Sequence, residues 1–201
     1  MKKALFILVT ALLITACRGG APGLKPLPPE AAVLAFGDSL TYGTGAAPGQ
    51  SYPAVLQTLI SRTVVNAGVP GETTAEGRAR LQGFLDRYRP ALVLLCLGAN
   101  DMIRGLDEKT AAENLRAMIG MAKKSGAQVV LLGVPRPNIF GSPPEFFQTV
   151  AAELAVPYLK DAMGNAIRDP SLRSDPIHPN GRGYRKIAEE VASFLRRKGA
   201  I

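Results

Sequence analysis

Two short stretches, far apart in the chain, hold the residue types needed for acyl transfer. Ser39 follows an apolar run, Ala31 to Phe36, that stops at Gly37-Asp38. A short apolar run closed by glycine reads as a buried strand ending in a tight turn. Ser39 is therefore predicted at the carboxyl end of a first strand, where open α/β sheets place their ligands. His178, the single histidine of the chain, stands in Asp175-Pro176-Ile177-His178-Pro179-Asn180. A serine hydroxyl is a weak nucleophile and needs a base, for which an imidazole is the usual choice. An aspartate nearby can take the second ring N–H and fix the tautomer. Gly-Asp-Ser alone is a weak signal. Serine, histidine and aspartate together are the parts of a nucleophilic site. One histidine and no cysteine cluster leave too few ligands for a metal ion, and no cofactor is expected.

The elements that must bring these residues together alternate along the chain. Ala31 to Phe36 is the first predicted strand. Ser51 to Ile60 follows as a helix with Ser51 as its cap, then a β-branched strand, Thr63 to Ala67, a glycine- and proline-containing loop, Gly68 to Thr74, and a helix, Glu76 to Tyr88. Ala91 to Leu97 is continuously apolar, as a central parallel strand covered on both faces should be. A helix capped by Asp107 is expected to run to Ser125, with Gly126 just past its end. Gln128 to Val134 is a fourth strand, Pro135 to Pro144 a long loop, Glu145 to Leu154 a helix and Val156 to Leu159 a short fifth strand. Asp161 to Arg173 reads as irregular or weakly helical, and Asn180 to Arg197 as the final helix. This alternation predicts a three-layer α/β/α domain around a five-stranded parallel sheet with right-handed crossovers. Three polar turns, at Gly37 to Ser39, Gly68 to Gly71 and Gly98 to Asp101, then emerge at one sheet edge, and Asp175 to Asn180 can fold over it. Asp38 and Asp101 read as turn-bonding residues, Cys96 as a core residue, and Tyr42, Tyr184 and the methionines as packing.

Taken in order, these blocks resemble the SGNH, or GDSL, hydrolase family. The first block is Gly37-Asp38-Ser39-Leu40, the second Asn66 to Thr73, the third Leu97-Gly98-Ala99-Asn100-Asp101 and the last Asp175 to Asn180. Four ordered blocks are far more specific than any one. Ala99 stands where many relatives carry glycine, and Pro176 where glycine is commoner. The resemblance covers residue 31 to the C-terminus and implies the flavodoxin-like strand order 2-1-3-4-5. It implies Ser39 as nucleophile, His178 as base and Asp175 as its orienting acid. The oxyanion donors would be the backbone N–H groups of Ser39 and Gly71 and the side-chain amide of Asn100. The lipase elbow G-x-S-x-G is absent, since position 41 is threonine, which disfavours the α/β-hydrolase fold. Within the family the chain looks most like small bacterial thioesterases, lysophospholipases and arylesterases, cleaving small-molecule acyl esters through an acyl-enzyme. A carbohydrate O-acetylesterase and a non-catalytic envelope binding protein are the alternatives. Met102 to Leu106 and Pro135 to Pro144 are expected pocket walls, with Ile139, Phe140 and Phe146 as an apolar acyl site.

The chain has 201 residues, 47% hydrophobic and 20% charged, a globular composition suited to one core. Its formal charge is +8, which falls to +6 once Lys2 and Lys3 are set aside, and the basic residues are scattered. A solvated basic surface is expected, with no nucleic-acid partner. Lys2, Lys3 and the apolar stretch Ala4 to Ala16 read as a signal peptide over residues 1–16, too short to span a bilayer comfortably. Leu13-Ile14-Thr15-Ala16-Cys17 resembles the lipobox of bacterial lipoproteins, which implies cleavage before Cys17 and lipidation of that residue. Residues 17–29, rich in glycine and proline, would tether residues 30–201 to a membrane of the cell envelope, facing the periplasm or exterior. A monomer is expected.

Overall fold

The computed structural model describes residues 23–137 and 141–201. The signal stretch, Cys17, Ile139 and Phe140 lie outside the described residues. Five parallel strands form one sheet in the order β2-β1-β3-β4-β5: β1 Val33–Gly37, β2 Val64–Gly68, β3 Leu92–Cys96, β4 Gln128–Leu132 and β5 Tyr158–Leu159. Every residue of β1 and β3 is buried, because helices cover both faces of these central strands. On one face α2 (Tyr52–Ile60), α7 (Ala162–Arg168) and α8 (Gly181–Arg197) pack together. On the other, α3 (Thr74–Tyr88), α5 (Glu108–Lys124) and α6 (Glu145–Glu153) do so. The predicted three-layer class and strand order are the ones observed.

Register does the positioning. Gly37 pairs with Gly68 on one side and with Cys96 on the other. The turns leaving β1, β2 and β3 therefore start level with one another, at a single sheet edge. Two short helices not anticipated from the sequence open there: α1 (Ser39–Tyr42) and α4 (Ala99–Ile103). Four or five residues are too few to display a 3.6-residue period. What starts α1 is Asp38, whose side chain accepts the Leu40 N–H. α1 and β3 both crowd the end of β1: a Cβ on Gly37 would fall 2.3 Å from Thr41 Oγ1 of α1 and 2.2 Å from the Cys96 carbonyl oxygen of β3.

Other differences from the expected elements have local causes. Helix α3 starts two residues before Glu76, because Thr73 and Glu76 form a reciprocal capping box. Ser51 precedes α2 but makes no side-chain cap bond. The segment after Asp161 forms a true helix, α7, whose Ala162, Met163, Ala166 and Ile167 are buried. Packing on α8 supplies what local propensity lacks. The second half of the expected tether is part of the domain: Leu24 and Leu27 donate backbone hydrogen bonds to Lys198 and Ala200, and Leu27 is buried. Lys25 and Gln128 exchange two further bonds. Among the described residues no helix is long and apolar enough to cross a membrane.

Candidate active site

Ser39 is the first residue of α1, at the carboxyl end of β1. His178 reaches it from the loop before α8. That loop is held at both ends: Ser174 N–H donates to the His178 carbonyl, and Arg173 and Pro179 form an antiparallel bridge. Asn180 caps α8 by accepting from the Arg182 and Gly183 N–H groups, while its amide donates to the Ser171 and Arg173 carbonyls. One side chain thus sets the helix start and the loop's exit. Tyr184, buried in the first turn of α8, donates its hydroxyl to the Thr44 carbonyl at 2.8 Å. α8 is thereby tied to the loop that follows Ser39.

The resulting geometry is a relay. His178 Nε2 lies 3.1 Å from Ser39 Oγ, and Nδ1 lies 2.8 Å from Asp175 Oδ2. The other carboxylate oxygen, Oδ1, accepts the N–H groups of Ile177 and His178. Partial burial pushes the Asp175 carboxyl up. The hydrogen bonds from Ile177, the imidazole and the His178 backbone outweigh that and hold it below the usual carboxylate range. An ionised carboxylate only accepts, so Nδ1 carries the ring proton and donates it. Nε2 then presents a lone pair to the Ser39 hydroxyl. Pro176, exposed beside this turn, restricts the backbone between acid and base.

The other two turns bring Gly71 and Asn100 to the same edge. Gly71 has φ +81°, a left-handed conformation that a Cβ would strain. Space around it is open, the nearest atom to an added Cβ being Arg104 Nη2 at 4.0 Å. Among the described residues the loop and cap hydrogen bonds take neither the Ser39 nor the Gly71 N–H. Asn100, in the first turn of α4, donates one amide hydrogen to the Glu72 carbonyl at 2.9 Å. Its Nδ2 lies 3.5 Å from Asp38 Oδ2. Asp101 faces the other way and accepts the Thr74 N–H and hydroxyl, locking the start of α3 to α4. Asp38 and Asp101 are thus the turn-bonding residues expected. Tyr42 is not a packing residue: it is 58% exposed at the end of α1.

Ser39, Gly71, Asn100 and His178 line one cavity of about 500 Å³. Its apolar walls come from Leu40, Pro70, Ile103, Val134, Ile167 and Ile177. Ile103 and Pro135 to Pro137 are wall positions in the two loops anticipated. The third wall, Gly164 to Arg168 of α7, was not foreseen, because its segment carries no clear period in sequence. Phe146 does not line the cavity: it stacks on Phe147, ring centroids 4.5 Å apart. Arg136 and Arg168 are the charged lining residues, the first ion-paired with Glu108. No group of three or more metal-ligating side chains occurs among the described residues.

A parallel sheet in the order 2-1-3-4-5, with a Ser–His–Asp relay and spare N–H donors at its carboxyl edge, defines an α/β/α acyl hydrolase. The chain belongs to the GDSL-like lipase/acylhydrolase family, whose pattern its residues 35–186 match. It is 34% identical over 174 residues to an arylesterase of Vibrio mimicus, covering 81% of this chain and 87% of that protein. It is 32% identical over 204 residues to esterase TesA of Pseudomonas aeruginosa, covering 92% and 98%. Among solved structures it resembles the crystal structure of TesA with a TM-score of 0.74 at 30% identity, covering 83% of this chain and 99% of that one.

Proposed function

We propose that this ester hydrolase works through an acyl-enzyme formed on Ser39, with His178 as general base and then acid, and Asp175 as the group that orients and charges the imidazole. The observation that carries the reading is the unbroken line Ser39 Oγ, His178 Nε2, His178 Nδ1, Asp175 Oδ2, at 3.1 and 2.8 Å. Oγ attacks the ester carbonyl as its proton passes to Nε2. The tetrahedral oxyanion takes hydrogen bonds from the N–H groups of Ser39 and Gly71 and from Asn100 Nδ2. Collapse breaks the bond to the alcohol, or to the thiol of a thioester, which leaves with the proton from Nε2. Water then repeats the sequence on the acyl-enzyme and releases the acid. Each oxyanion donor contributes ~3 kcal/mol to lowering the barrier. The apolar walls suit the acyl or aryl part of arylester-like and lysophospholipid-like substrates.

Substitution Ser39→Ala is the direct test. It should abolish hydrolysis of p-nitrophenyl acyl esters and labelling by a fluorophosphonate probe, with the circular dichroism spectrum unchanged. Full activity in that variant would overturn the assignment. We also propose that Cys17 is the lipid-modified amino terminus and that the domain is held at a membrane of the bacterial cell envelope. Support comes from Lys2, Lys3, the apolar stretch before it and Leu13-Ile14-Thr15-Ala16-Cys17. Mass spectrometry of the mature terminus checks this, and an unmodified Cys17 would refute it.

A further inference from the structure

We infer that Arg80 is a positioning residue for the oxyanion donors, its guanidinium fastening the ends of β1 and β2 and the Gly71–Glu72 turn into one unit. The inference rests on the reading that Ser39, Gly71 and Asn100 supply those donors. Arg80 projects from α3 beneath the sheet edge. Its Nη2 donates to the Ala67 carbonyl at 2.7 Å and to the Gly37 carbonyl at 3.2 Å. The same nitrogen reaches Glu72 Oε2 at 2.6 Å, and Nε pairs with Glu72 Oε1. The guanidinium carbon lies 4.0 Å from the centre of the Phe36 ring, in cation–π contact.

Two of the three gripped residues sit close to a donor. Gly37 is two residues before Ser39. Glu72 directly follows Gly71, and its carbonyl holds the Asn100 amide at 2.9 Å. A shift of the Glu72 side chain therefore moves the Gly71 turn and loosens Asn100 together. The Glu72 side chain is 5% exposed and that of Arg80 21%, so the pair is shielded from water and its geometry is held. Only a planar fork can meet a carboxylate in two places and two carbonyls besides, which a lysine ammonium cannot reproduce. Nη1 remains buried with no hydrogen-bond partner among the described residues. The fork is thus placed for the strand ends and Glu72, not for complete satisfaction of its own donors. Arg80 does not line the cavity, so it acts through these neighbours and not on substrate.

The test compares Arg80→Met, Arg80→Lys and the double variant Arg80→Met/Glu72→Gln with the unaltered enzyme. Mispositioned donors should lower kcat about 10- to 100-fold with KM changed less than about twofold. A trifluoromethyl ketone, which forms a tetrahedral adduct with the serine, should bind more weakly by a similar factor. Arg80→Met leaves a buried carboxylate unpaired and should lower Tm. The double variant removes both charges and should regain most of that Tm, yet keep the low kcat and weak ketone binding. Recovery of kcat along with Tm in the double variant, or normal kcat and ketone affinity in the single ones, would show Arg80 to be a stabilising residue only. Failure of the underlying site reading looks different: Ser39→Ala would then stay active, or Asn100→Ala would keep full kcat and ketone affinity, whatever Arg80 does.

Discussion

At the scale of single residues, the Asp38 carboxyl, next to Ser39, carries the clearest pH signature. Burial pushes Asp38 up to about 7, the negative charges of Glu72 and Asp101 add to the effect, and the Leu40 N–H opposes it. The folded protein therefore keeps this proton over a pH range in which the unfolded chain has already released it. Stability should fall as pH rises from about 4 to about 7, by roughly 4 kcal/mol from this group, and be flat in this respect above. Asp38→Asn keeps a side-chain oxygen for the Leu40 cap and removes the titration. Its Tm should gain on that of the unaltered protein between pH 5 and pH 8. Parallel Tm profiles across that window would contradict the assignment. Asp175 behaves in the opposite sense, because its hydrogen bonds favour the anion. Asp175→Asn cannot hold the Nδ1–H tautomer and should lower kcat by about 10³- to 10⁴-fold in steady-state assays with little change in Tm.

At the scale of elements, helix starts hold the site. Thr73 accepts the Glu76 N–H while Glu76 accepts the Thr73 N–H, so the cap fixes where α3 begins, immediately after the Gly71–Glu72 turn. Thr73→Ala should cost about 1 kcal/mol in chemical denaturation and lower kcat more than it alters KM, since the turn before the helix loses its anchor. At Gly71 the cost has a different origin. A Cβ there finds space, but φ +81° is unfavourable for an alanine by about 1 kcal/mol. If the turn relaxes to relieve that strain, the N–H leaves its direction. Gly71→Ala is thus expected to fold, with a slightly lower Tm, and to lose most of its esterase kcat. Undiminished turnover would remove Gly71 from the oxyanion site.

At the scale of the whole molecule, the chain closes on itself around the sheet. Residues 24–27 bond to the end of α8, and α8 begins at the active-site edge. One helix thus links the amino-terminal strap to the loop carrying His178. Leu27 is 4% exposed, and Leu27→Ala should destabilise the domain by roughly 2–4 kcal/mol in denaturant titration. Catalytic constants measured well below the transition should stay near those of the unaltered enzyme, because the strap lies at the far end of α8 from His178. A large loss of kcat without loss of stability would contradict that separation.

Much of this protein can be read from its residues in order. Alternating apolar runs and amphipathic segments determined the layered sheet, since a period of two or 3.6 is a local property of the chain. Ser39, His178 and Asp175 stood out as candidates through a glycine-punctuated strand end, a lone imidazole and, above all, the order of the four blocks that resemble the family. The Thr73-to-Glu76 capping box, which starts α3 two residues earlier than expected, was not read from the sequence, nor was its role in seating the Gly71 turn. Tertiary structure alone decided that Arg80 grips Gly37, Ala67 and Glu72, that α7 is a helix and a cavity wall, that residues 24–27 join the domain, and that Phe146 turns to Phe147. The Phe146–Phe147 stack joins neighbours in the chain and follows from side-chain direction; the other three share one physical reason. Each depends on contacts between segments separated in the chain, whose free energy comes from register, burial and the direction of a side chain in space, and none of these is encoded by spacing along one segment.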